Sequence, residues 1–210
     1  MKKIILLSFV FLTSCIQSKI STYTSFPKIV TEESILLMGI DGLSEKNEFA
    51  LFEIAKNNFQ KTNQILFLPE HEYELINKGI DKSHLHESVT IDSIKTLICQ
   101  YTKTRYLLKI ELLNSQKGSI YGSYTNLEVK NNPYRTINRE TNKASMLFTL
   151  TDTKTHLTEY KFNVTTTISP LSINDENNGE RNVNLSSQFG AISESFKKGI
   201  RKLRKEIITR

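Results

Sequence analysis

The chain has 210 residues, 38% of them apolar and 24% charged, and 28 Lys and Arg against 22 Asp and Glu give a formal charge of +6. That surplus is too small to mark a nucleic-acid binder and points only weakly to anionic surfaces. Two cysteines, Cys15 and Cys99, leave no disulfide framework to be built, even in an oxidising compartment.

The chain begins MKKIILLSFVFLTSC. Lys2 and Lys3 form a positive start, and the apolar run from Ile4 to Leu12 is broken only by Ser8. It is far short of the roughly 20 residues a spanning helix needs, so it reads as a secretory signal. Leu12-Thr13-Ser14-Cys15 resembles the lipobox of bacterial lipoproteins. The resemblance implies a diacylglyceryl group on the Cys15 thiol and cleavage after residue 14, so that Cys15 becomes the first residue of the mature chain. Ile16 stands where an acidic residue would, in the enterobacterial pattern, retain a lipoprotein in the inner membrane. The implied location is therefore the outer membrane, facing the periplasm, with the inner membrane and the cell surface left open. Without residues 1–14 the chain keeps 196 residues, and its charge falls to +4 with the loss of Lys2 and Lys3. That is enough chain for one domain with a real core.

Residues 15–33 read as the lipidated cysteine and a flexible tether, because 16–33 are polar, rich in Ser and Thr and without periodicity. Fully extended, such a tether reaches on the order of 60 Å. The alternative is that Ile29 and Val30 belong to an edge strand. From residue 34 to 210 a single α/β domain is expected. Ile35-Leu36-Leu37-Met38 suits a buried strand, Asp41-Gly42 a turn, and Ser44 the cap of a helix presenting Leu51, Phe52, Ala55 and Phe59 on one face. Ile65 to Leu68 is a second strand, followed by a short helix with Pro69 at its start and Gly79 at its end. A third helix, capped by Ser88 or Thr90, carries the stripe Ile91, Ile94, Leu97, Ile98 and Tyr101. Cys99 falls within it, the setting of a buried, inert thiol.

Tyr106 to Leu113 is a strand, and 114–142 is an irregular insert rich in Gly, Ser, Asn and Tyr. Two strands then flank the turn Thr153-Lys154-Thr155, and 169–184 reads as a polar loop. A long helix from about Ser186 repeats Phe189, Ile192, Phe196, Ile200, Leu203 and Ile207 at helical steps. The order β-α-β-α-α-β-β-β-α points to an α/β class, an α+β sandwich with helices packed on one mixed sheet.

This order, carried by ILLMGIDGL, NQILFLPEHEYELINKG, IDSIKTLICQYTKTRYLLKIELL and MLFTLTDTKT, resembles a group of bacterial envelope domains. The group includes the curli-secretion lipoprotein, the lipoprotein activators of penicillin-binding proteins and the TolB amino-terminal domain. The resemblance implies a non-enzymatic module that binds another envelope protein, a cell-wall synthase or a secretion or transport assembly. An oligomeric secretion component is the other role it implies, and the oligomeric state stays open. A transmembrane hairpin within 114–142 is not expected, since Ile120, Gly122 and Tyr124 make too poor an apolar row.

Chemistry is sparse. Gly-x-Ser-x-Gly, Walker-type and dinucleotide loops do not occur, so neither a catalytic set nor a cofactor is expected. His84, His86 and Glu87, with Asp81 and His71 nearby, are the one group of metal-ligand types. Two histidines at i and i+2 converge on a metal only from an extended segment, and a third ligand is still required, so DKSHLHES reads mainly as a solvated loop, with a metal-binding protein or enzyme using His84, His86 and Glu87 as the alternative. Tyr121, Tyr124 and Tyr134 lie in a Gly/Ser/Asn-rich setting that suits an adaptable protein-binding surface, or else they pack the insert onto the sheet. The C-terminal cations Lys197, Lys198, Arg201, Lys202, Arg204, Lys205 and Arg210 complement a helix dipole, or contact anionic headgroups or an acidic partner.

Overall fold

A computed structural model describes residues 16–25, 29–30, 34–59, 65–86, 92–124, 126–131, 140–175 and 179–208. In chain order the elements are β1 (Ile16–Ser25), β2 (Ile29–Val30), β3 (Ser34–Asp41), α1 (Glu45–Asn58), β4 (Ile65–Phe67), α2 (Leu68–Asn77), α3 (Ser83–His86) and α4 (Asp92–Thr102). They continue with β5 (Thr104–Gln116), β6 (Tyr121–Tyr124), α5 (Asn126–Asn131), β7 (Asn142–Asp152), β8 (Leu157–Ile168), β9 (Leu171–Asp175), β10 (Gly179–Val183), α6 (Gln188–Glu206) and β11 (Ile207–Ile208). Six strands form one sheet in the order β1-β8-β7-β5-β3-β4. The mixed α/β class expected from the sequence holds, with strands added at both ends of the expected order and within it.

The described chain divides into two compact units. The described residues of the first fall within Ile20–Leu113, Met146–Val164 and Phe196–Arg210; those of the second fall within Met1–Lys19, Asn114–Ser145 and Thr165–Ser195.

In the first unit β3 lies between β4 and β5 and runs parallel to both. Leu36 and Met38 join Leu75 of α2, Ile98 and Cys99 of α4 and Leu107 of β5 in one buried cluster. Phe67 of β4 instead stacks on Phe52 of α1, ring centroids 4.8 Å apart. Ile35 and Leu37 are also buried, so β3 is covered on both faces, which is why it reads as an unbroken apolar run. A four-residue turn, Thr153–His156, joins the neighbours β7 and β8, so the two run antiparallel. Phe148 and Phe162 stack there with centroids 5.0 Å apart, and Phe196 of α6 tilts against Phe148 at 6.2 Å.

Local expectations are adjusted in places. Ser44 occupies the N-cap of α1, but its side chain makes no capping bond. On α4 the buried pair is Ile98 and Cys99, whereas Leu97 and Tyr101 are exposed and Lys78 lies over the Tyr101 ring at 4.6 Å. Ser88, Thr90 and Ile91 lie outside the described residues. Ile207 leaves the helical stripe: Ile207 and Ile208 pair in parallel with Ile29 and Val30, realising the edge-strand alternative for that stretch.

Residues 16–25 fall within the stretch whose composition reads as a tether, and the structure makes them β1, an edge strand beside β8. Ile16, Ile20, Tyr23 and two threonines give that stretch β-forming residues despite its polarity. The open edge of β8 supplies the backbone partners that a tether lacks. In the second unit the hydroxyls of Ser18 and Thr166 pair at 3.0 Å.

The second unit also revises the polar loop expected over 169–184. Here β9 and β10 pair antiparallel, and β10 pairs antiparallel with β6. Polar bonds stand in for apolar packing, which leaves no hydrophobic period to read. Ser172 donates its hydroxyl proton to Asn182 Oδ1 at 2.6 Å, and the Asn184 amide bonds the Ile120 carbonyl at 2.9 Å. The buried Asn142 accepts from the Gly118 amide at 2.9 Å and donates to Asn184 Oδ1 at 3.1 Å and Ser186 Oγ at 2.8 Å.

Candidate functional site

The register between β3 and β5 shifts between Leu37 and Ile40: Leu37 faces Leu108, and Ile40 faces Ile110. Three residue steps on β3 match two on β5, which is a bulge, and the ladder is locally interrupted. The Ile40 amide there donates to Glu48 Oε1 at 3.0 Å. The chain then turns through Gly42, at φ +90°, a conformation that glycine adopts without strain. These features place the first turn of α1, with Glu45 and Glu48, at the C-terminal end of the parallel strands.

A cleft of about 480 Å³ opens at this end. Its apolar lining includes Met38, Phe49, Leu68 and Leu85, and its polar lining is Glu45, Glu48, Glu72 and Lys109. The C-terminal edge of parallel strands is where open α/β sheets leave a crevice for ligands, and the volume falls in the usual range for binding sites. Two of the carboxylates are positioned. Glu48 is held by the Ile40 amide, and Glu72 Oε1 lies 3.4 Å from Lys82 Nζ. Lys109 Nζ lies 3.0 Å from Glu111 Oε1. Three carboxylates beside the exposed Phe49 side chain suit a cationic group carried on an apolar segment. The described lining holds no hydroxyl, thiol or imidazole side chain.

The residues singled out from sequence do not converge here. Cys15, Glu87 and Tyr134 lie outside the described residues, as do the side chains of His84, His86 and Tyr124. His84 and His86 both fall on the four-residue helix α3 and not on an extended segment. Among the described residues no group of three or more His, Cys, Asp or Glu is placed to hold a metal ion. Tyr121 is 56% exposed on β6, opposite Val183 in the register with β10. Cys99 is buried, and burial pushes its thiol above the ordinary range despite hydrogen bonding to Thr104 and Thr153. No helix among the described residues is long and apolar enough to cross a membrane. Glu45, Glu48, Glu72 and Lys109 escape a reading of the sequence because they lie on three separate elements. The available signal is their place just after strand ends: Glu45 and Glu48 follow β3, and Glu72 follows β4.

No protein-family model matches the chain. No curated protein matches it in sequence. Among solved structures the chain is similar to the PelC dodecamer of Paraburkholderia phytofirmans, 8% identical over 89% of this chain and 97% of that one, with a TM-score of 0.47. It is also similar to lipoprotein GNA1162 of Neisseria meningitidis, 12% identical over 81% and 99%, at 0.42. The LpoB C-terminal domain of Salmonella enterica is 12% identical over 61% and 78%, at 0.34. At these values the similarities assign neither family nor function.

Proposed function

We propose that the chain is a membrane-anchored periplasmic lipoprotein that binds another envelope protein and catalyses no reaction. The observation that carries the reading is the cleft at the C-terminal ends of β3 and β4. Its apolar lining and its Glu45, Glu48 and Glu72 carboxylates fit a partner segment that presents lysine or arginine among apolar residues. Anchoring rests on the Leu12-Thr13-Ser14-Cys15 lipobox, and Ile16 after the cysteine supports the outer membrane as its location.

The test is crosslinking of the full-length lipoprotein in cells, with mass spectrometry of what it captures and of its own N-terminal peptide. Expected are an acylated Cys15 and one specific envelope protein, whose capture is lost on Glu45→Lys with Glu72→Lys. Capture that survives both reversals removes the cleft from the interface. Capture of only a second copy of the chain replaces the accessory role with a homo-oligomeric one. An unacylated Cys15 overturns the anchoring.

A further inference from the structure

The second half of α6 exposes Lys198, Arg201, Arg204 and Lys205 while it buries Phe196, Ile200 and Leu203. These cations do not stand on a convex surface. With Lys202 and Glu206 of α6, Ile20 and Thr22 of β1, and Asn58 at the end of α1, they line an open groove of about 890 Å³ in the first unit. Glu206 is its single acidic lining residue, and it is engaged by Lys202 at 3.6 Å. Lys202 also lies over the Phe162 ring at 5.5 Å. Among the described residues no carboxylate lies within ion-pair distance of Lys198, Arg201, Arg204 or Lys205.

The helix dipole does not account for this arrangement. Its influence fades within the last turn, which covers Arg204 and Lys205 but not Lys198 or Arg201. Nor does solubility require a concave wall around the charges. Ile20, 40% exposed, gives that wall an apolar side.

We infer that this groove binds the anionic phospholipid headgroups of the membrane in which the chain is anchored. The inference rests on the anchored reading of Cys15. Five residue steps separate Cys15 from Ile20, so chain length alone keeps the groove wall within about 18 Å of the acylated residue. A tether through residue 33 would have allowed the domain far greater excursion; β1 removes that freedom for its own residues. A basic surface held this close to headgroups meets them at high effective concentration, and anionic lipid attracts each such cation.

Vesicle co-sedimentation tests it, using residues 15–210 with Cys15→Ser, which keeps every described residue and does not depend on acylation. Vesicles of phosphatidylglycerol with phosphatidylcholine are compared with phosphatidylcholine alone. Binding to the anionic vesicles only, lost in high salt, is expected. K198Q/R201Q/R204Q/K205Q should weaken it by about fivefold for each cation removed. The control K46Q/K103Q/K143Q/K161Q changes the net charge equally at exposed lysines outside the groove and should bind like the unaltered chain. Matching thermal unfolding of the two variants establishes that the groove variant is folded. Equal losses in both variants reduce the effect to net charge and overturn the site. Competition by millimolar inorganic phosphate makes it a small-anion site, and binding without preference for anionic lipid also overturns it. Because acylation is read separately from the N-terminal peptide of the native protein, failure of the groove and failure of the anchor are told apart.

Discussion

Gly199 lies against the ring of Phe148: a β-carbon built on Gly199 would overlap Phe148 Cζ. Phe148 cannot retreat, because it is fully buried between Phe162 and Phe196. In an open helix, glycine to alanine gains about 1 kcal/mol. Here overpacking costs about 1–3 kcal/mol, so Gly199→Ala should be destabilising on balance. Urea unfolding should show a lower midpoint, and Phe148→Leu should recover part of the loss. A midpoint at or above that of the unaltered chain contradicts this packing.

Arg105 and Asp152 join β5 to β7. Arg105 Nη2 and Nε donate to Asp152 Oδ2 at 2.6 and 3.0 Å, and the Asp152 side chain is only 2% exposed. Burial pushes its carboxyl up, but hydrogen bonds from Arg105 and from the amides of Lys154 and Thr155, with the Arg105 charge, outweigh it and leave the group below its ordinary value. A depressed carboxylate contributes stability above its unfolded value, near 3.9, and loses it as the pH falls through the folded value. Asp152→Asn should therefore lower stability at neutral pH by about 1–3 kcal/mol, as expected when hydrogen bonds between charged partners are weakened. The difference should shrink in acid, where the native group is itself protonated. Melting curves of both proteins across the acid range check this, and a constant difference would refute the pairing as the cause.

The cleft separates structural from recognition roles. Glu48→Ala leaves the Ile40 amide without its acceptor and should cost about 1–3 kcal/mol. Glu48→Gln keeps an acceptor oxygen and should be much milder. Glu45→Lys with Glu72→Lys should change stability by less than about 1 kcal/mol, since the Glu72–Lys82 pair is solvent-accessible. Denaturation of the four proteins in parallel resolves the ranking. Large destabilisation by the double reversal would mean that those carboxylates hold the fold together.

Cys99 is 2% exposed, and its thiol is raised by burial, so native protein should resist alkylation at neutral pH. If Cys15 carries the proposed acyl group, the chain should release one reactive thiol, and only on unfolding. Rapid labelling of the native acylated protein would contradict the burial of Cys99.

Wherever one residue's side chains answer to the residues a few places away, the sequence was legible. The apolar run of β3, the alternation along β7 and β8, the stripe of α6 and the Pro69–Gly79 bounds of α2 are all local periodicities, and together they specify the α/β class.

Tertiary structure decided what depends on distant partners. Ile16–Ser25 is compatible with a tether or a strand until β8 offers it an edge. The segments Leu171–Asp175 and Gly179–Val183 become strands through pairing and buried Asn and Ser bonds, neither of which leaves a hydrophobic period. Glu45, Glu72 and Lys109 meet at one cleft only because β3 runs parallel to its neighbours β4 and β5, and Ile20 and Asn58 meet Arg201 only in the folded chain. Burial of an apolar face writes a short repeat into a sequence; backbone pairing and charge convergence link residues far apart in the chain and write none.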